Sequence, residues 1–139
     1  MVDLGLAYQF SGDPSYASHA VDLINAWTID PNLYMQPEFT VSNWIEVAVT
    51  LPGIFYGADL IHDYPGWDEQ DKSDVKAWIQ IVASEAENVL GSRSNNWDDW
   101  CTVTVASAGS FLQDSSLMNS AFTNFRASVP DHITSDGRM

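Results

Sequence analysis

The run Arg93-Ser94-Asn95-Asn96-Trp97-Asp98-Asp99-Trp100 brings a guanidinium, two adjacent carboxamides and two indoles to one polar turn at the start of an apolar segment. Indoles stack on sugar faces, and amides and a guanidinium hydrogen-bond a sugar carboxylate, so these types together point to a carbohydrate site. Each also has a plainer role. Asn95 or Asn96 can simply cap a helix. Arg93 can be a surface or salt-bridge residue. Trp97 and Trp100, three apart, can pack in a core or stack on sugar, and the same choice holds for Trp44. Asp98 and Asp99 fall in a first helical turn, where acids stabilise the N-terminus.

The other reactive side chains are scattered. His19, His62 and His132 lack metal-ligand spacing, so neither a metal nor any other cofactor is expected. His19 reads as exposed, His62 as a helix C-terminal residue, and His132 as part of the last loop, within reach of a cleft. Tyr56 reads as catalytic or buried, with burial favoured. Cys101 is the single cysteine, so no intrachain disulfide forms, and its apolar surroundings mark it as a buried structural residue.

The elements that must position these groups are helical. The 139 residues suit one domain with a modest core, and 45% apolar composition excludes a disordered chain. No run reaches the ~18 uninterrupted apolar residues of a membrane span. Nineteen acids against five bases give a formal charge of −14, a surface that repels nucleic acid and anionic membranes.

Val2–Phe10 reads as a helix ended by Ser11-Gly12. Asp13-Pro14 supplies a cap and a first-turn proline for a second helix through Trp27, with Tyr16, Ala20, Leu23 and Trp27 as its apolar face. A long connection from Thr28 to Ser42 carries exposed Tyr34, Met35 and Phe39. The third helix spans about Asn43 to His62, kinked or divided by Pro52. Asp68 and Asp71 resemble a capping box for a fourth helix whose stripe is Val75, Trp78, Ile79, Val82, Ala86, Val89 and Leu90, ended by Gly91. A fifth helix runs from the Asn95-Asn96 turn to about Leu112. Gln113-Asp114 is a break and cap before a sixth, which Pro130 stops near Val129. Phe10, Asp13, Ser15 and Ala20 recur 101 residues later as Phe111, Asp114, Ser116 and Ala121, an internal echo of one hairpin. Antiparallel hairpins without strand signals leave a bundle, a solenoid or an α/α toroid.

Several segments, in order, resemble the alginate lyase superfamily. Leu6–Ala17 is similar to the family's "LAYRLTGDxxYA" hairpin, and Ala20–Trp27 to its continuation towards "LNAW". Tyr56–Leu60 resembles "YAADL", Pro65–Asp71 resembles "PGWSEED", Asn95-Asn96-Trp97 resembles "NNW/NNH", and His132–Gly137 resembles "QIxxDG". The resemblance implies an all-α fold of antiparallel hairpins, part of an incomplete α/α toroid, with residues 1–139 as a partial domain cut at both ends. It implies cleavage of a uronic-acid polysaccharide by β-elimination, in the periplasm or outside the cell, with an anionic polysaccharide as partner. An asparagine and an arginine neutralise the uronate carboxylate, a Tyr or His takes the C5 proton, and a Tyr can protonate the leaving oxygen.

By motif, Asn95 or Asn96 is the neutraliser, with Asn96 favoured, and Arg93, Trp97, Trp100 and Trp44 are candidate substrate contacts. Trp97 stands where some members carry an acid–base histidine, and the family's downstream Arg, His and Tyr segment is expected beyond this chain, so turnover is expected of the full-length protein and inactivity of these 139 residues alone. Two other readings stay open: an α/α-barrel glycoside hydrolase using an acid pair that includes Asp99, and a helical glycan-binding domain without turnover.

Overall fold

The computed structural model describes residues 1–36, 44–133 and 136–138. Six helices account for most of them: α1 (Val2–Ser11), α2 (Pro14–Thr28), α3 (Trp44–Leu60), α4 (Glu69–Glu87), α5 (Asn96–Leu112) and α6 (Ser115–His132), with no strand among the described residues. The odd-numbered helices touch in series, α1 on α3 and α3 on α5, while α2 touches α4 and α4 touches α6. The α1–α2 and α5–α6 hairpins, with α2–α3 and α4–α5 contacts, tie the two rows together. Two layers of hairpins are the arrangement of an arc of an α/α toroid. None of these helices is long and apolar enough to cross a membrane.

Local chemistry explains the turns. Gly12 adopts the left-handed conformation (φ 70°) after α1, where a side chain would be strained, and Asp13 accepts the Ser15 N–H at 2.9 Å to start α2. That bond holds the Asp13 carboxyl below the usual carboxylate range. The same design recurs between α5 and α6: Gln113 takes the left-handed position (φ 55°), and Asp114 accepts from Ser116 at 2.8 Å. The sequence echo is therefore a repeated turn. At Gly109 the α5–α6 hairpin is so close that a Cβ would lie 3.0 Å from the Met118 nitrogen.

Five expectations are corrected. The fourth helix, α4, ends at Glu87 with Asn88 as its C-cap, so Val89 and Leu90 lie in the turn before Gly91 and not on the helical stripe. The buried stripe of α2 is Ala17, Ala20, Val21, Ile24 and Thr28, while Tyr16 and Trp27 are exposed. The small residues let neighbouring helices approach, and the bulky aromatics stay at the rim. Met35 is half-buried, because its carbonyl accepts the Trp78 indole N–H at 2.9 Å and its N–H donates to Trp27. Asp71 does not complete a reciprocal box. Asp68 accepts from the Gln70 and Asp71 N–H groups, while the Asp71 carboxylate takes Asn25 Nδ2 of α2 at 2.7 Å. Tyr56 is exposed, not buried. Phe39, Asn43, Thr134 and Ser135 lie outside the described residues.

Neither proline breaks its helix. Pro52 sits inside α3, and having no N–H it leaves the Ala48 carbonyl without an intrahelical donor. The Thr104 hydroxyl of α5 lies 3.0 Å from that carbonyl, and 2.9 Å from the Trp100 carbonyl of its own helix. A neighbouring helix thus supplies the polar contact that the proline removes. Pro130 lies inside α6, whose turn continues through the Ile133 N–H to the Val129 carbonyl at 2.9 Å. Arg126, four residues before Pro130, is exposed, so water can solvate its freed carbonyl. His132 consequently sits in the last helical turn rather than in a loop.

Candidate functional site

The amide–guanidinium–indole cluster lies where the turn after α4 enters α5. Gly91 takes φ 72° and reverses the chain after α4. Asn95, extended at φ −150°, is the N-cap of α5, and its side-chain oxygen accepts the Trp97 N–H at 3.1 Å. Its carboxamide thus meets a backbone donor that would otherwise be orphaned. Asn96 is the first helical residue and is exposed. Of the two amides, Asn96 is the one with no such task.

Arg93 is fixed from below by aromatic stacking. Its guanidinium carbon lies 4.5 Å from the Trp97 ring centroid and 5.4 Å from that of Trp44. The two indoles are tilted, with centroids 6.1 Å apart. Trp44 is only 4% exposed and packs with Ala48 and Cys101, so it supports the stack and offers no open face. Trp97 is half-buried, and Trp100, one turn on, is 37% exposed. The ring quadrupole attracts the cation, and among the described residues Arg93 has no carboxylate partner.

Asp98 organises the turn from inside. It is 2% exposed, and its carboxylate accepts the Gly91 N–H at 2.6 Å and Asn124 Nδ2 of α6 at 2.5 Å. Asn124 Nδ2 also donates to Thr102 Oγ1 at 3.0 Å. The bond to Gly91 closes the loop that carries Arg93, so the buried acid and the exposed cation are parts of one structure. Sequence reasoning gave Asp98 only a helix N-terminal role. Its partners lie seven residues before it and 26 after it, and no local signal marks the second.

Two clefts flank the cluster. One, of about 390 Å³, is lined by Arg93, Asp98, Asn124 and Asp131 with the Gly91–Ser94 turn. The other, of about 350 Å³, has apolar walls from Val103, Phe125, Val129 and Ile133, with Asp99 and His132 at its polar end. Asn95 and Asn96 line neither. His132 Nε2 comes within 3.7 Å of Asp99 Oδ1. The other histidines lie elsewhere: His19 is exposed on α2, while His62 pairs with Asp63 and stacks edge-on with Phe111.

Cys101 is fully buried behind Trp44, and burial, with a smaller contribution from the Asp98 charge, pushes its thiol up to about 12. It is a packing residue and not a nucleophile.

A two-layered array of helical hairpins, carrying a stacked arginine and a helix-terminal amide in the "NNW" setting, defines the class. The alginate lyase family model matches residues 1–139, the whole sequence, and the chain belongs to that family. No curated protein and no solved structure matches it.

Proposed function

We propose that the chain is a polysaccharide lyase that cleaves an alginate-like uronic-acid polymer by β-elimination, acting in the periplasm or outside the cell. The observation that carries this reading is the presence of exposed Asn96 and Arg93 three residues apart at the N-terminus of α5. There an exposed amide, a guanidinium over an indole with no carboxylate partner among the described residues, and the positive end of a helix lie within one turn of chain. A uronate carboxylate is the anion such a set fits.

Neutralising that carboxylate lowers the cost of removing the adjacent C5 proton, because charge passes onto the carboxylate as the C–H bond breaks. Donors already in place act most strongly where charge develops. Trp97 and Trp100 offer partly exposed indole surface for the sugar rings on either side. Buried Trp44 backs the stack. The formal charge of −14 opposes a polyanion at long range, but salt screens that repulsion over a Debye length of about 8 Å at physiological ionic strength.

The test is ultraviolet absorbance from unsaturated uronate, with wild-type protein, Asn96→Ala and Arg93→Ala on polymannuronate and polyguluronate. Removing a single donor of this kind costs about 10²-fold in kcat, the loss expected for Asn96→Ala. Arg93→Ala should raise KM about tenfold or more, as a charge-assisted contact worth ~1.5–3 kcal/mol is lost. Full activity in Asn96→Ala would remove the amide from the mechanism.

A glycan-binding role without turnover is favoured by one observation, the use of the Asn95 side chain as a cap. On that reading Trp97→Ala weakens glycan binding, Asn96→Ala does not, and no unsaturated product forms.

A further inference from the structure

We propose that His132, oriented by Asp99, is the group that takes the C5 proton in the elimination. The proposal rests on the lyase reading above and names the base for the same site. Helical spacing puts Asn96, Asp99, Trp100 and Val103 on one face of α5, at i, i+3, i+4 and i+7. The amide that would hold the carboxylate therefore shares a face with Asp99. The last turn of α6 brings His132 to that face, with Nε2 3.7 Å from Asp99 Oδ1.

The environment of the imidazole separates its two nitrogens. Nε2 is buried and has no hydrogen-bond partner among the described residues, although the side chain as a whole is 33% exposed, so the exposed part of the ring is elsewhere. The carboxylate nearest that buried nitrogen is Asp99, itself 46% exposed. A closing movement of about 0.8 Å makes an Nε2–H···O bond of ordinary charge-assisted length. That bond fixes the proton on Nε2 and leaves the lone pair on Nδ1. The adjoining cleft, walled by Val103, Phe125, Val129 and Ile133, gives one side of the ring apolar neighbours.

In the step, the Nδ1 lone pair takes the proton from C5. The C5–H electron pair becomes the C4=C5 double bond, and the C4–O bond breaks with its pair on the glycosidic oxygen. The imidazolium then returns the proton to that oxygen. One chain yields an unsaturated uronate end and a hydroxyl end, with no net gain or loss of protons. His132 is a catalytic residue on this account, and Asp99 a positioning residue.

The experiment uses the full-length protein with the two uronate polymers. His132→Gln should lower kcat at least about 100-fold with KM changed less than about threefold, and Asp99→Asn should lower kcat about tenfold, each with an unaltered helical spectrum and urea midpoint. Imidazole nitrogen NMR gives a reading independent of turnover. Neutral His132 should carry its proton on Nε2, and a saturated mannuronate trisaccharide should shift its Nδ1 resonance. An active wild type with an equally active His132→Gln overturns the proposal and leaves the lyase reading standing. So does a proton on Nδ1, or a trisaccharide that shifts the Asn96 amide but not His132. A wild type that gives no unsaturated product on either polymer removes the lyase reading and this proposal with it.

Discussion

Replacing Asp98 by alanine should destabilise the protein by freeing the turn that carries Arg93. The carboxylate is 2% exposed and holds two donors, the Gly91 N–H at 2.6 Å and Asn124 Nδ2 at 2.5 Å. Each donor left buried without a partner costs about 1–3 kcal/mol. Gly91 sits at an exposed turn where water can replace the lost oxygen, and Asn124 keeps Thr102 Oγ1, so the lower half of the combined range applies. The expected loss is about 3 kcal/mol, which at a urea slope of ~2 kcal/mol/M moves the midpoint down by about 1.5 M. Asp98→Asn should cost less, about 1–2 kcal/mol, since its oxygen can keep Gly91 while its NH₂ confronts that of Asn124. Urea melts followed by far-ultraviolet circular dichroism report both. A midpoint shift below ~0.3 M for Asp98→Ala, against the expected slope, would show that the carboxylate does not hold the Arg93 turn.

Three further outcomes follow from the packing. Thr104→Val keeps the shape but leaves the Ala48 carbonyl above Pro52 without a donor, so stability should fall by about 1–2 kcal/mol in urea melts; an unchanged midpoint would mean that the proline needs no such help. Gln113→Gly relieves a left-handed conformation at φ 55°, where Gly12 serves the equivalent turn, and should gain about 0.5–1 kcal/mol in thermal melts, with a loss contradicting the strain argument. Cys101, with its thiol raised to about 12 from 9.0, should resist iodoacetamide at pH 8 in the folded state and react once unfolded. Because the raised value belongs to the folded state, its contribution to stability is intact below pH 9 and is lost as pH climbs towards 12. Equal labelling of folded and unfolded protein would contradict that burial.

The helical hairpins were legible because their punctuation is local. Gly12-Asp13-Pro14, Asp68 and Gln113-Asp114 specify turn and cap chemistry within a few residues, and the structure uses each as a cap. The stripe of α4 was legible for a similar reason: one apolar face fits its period, and Val75, Trp78, Ile79, Val82 and Ala86 are buried. On α2 two stripes fit the same period, and only tertiary packing chooses the small-residue one. Pro52 reads in sequence as a kink or a division, and that the helix is not divided was not legible because the remedy, Thr104, lies on another helix. At the site, the nearness of Arg93 to Trp97 could be read from spacing, whereas the seating of Trp44 beneath both depends on the α3–α5 contact. The approach of His132 to Asp99 needs α6 to continue past Pro130, which the residue types alone argue against.

The most direct test of the central claim counts two chemical ends in one reaction. Wild-type protein is incubated with polymannuronate and polyguluronate, and new reducing ends and unsaturated uronate are measured together over time. Elimination predicts one unsaturated end for every new reducing end. Reducing ends without unsaturation would make the protein a hydrolase, and neither product from folded full-length protein would contradict the account altogether.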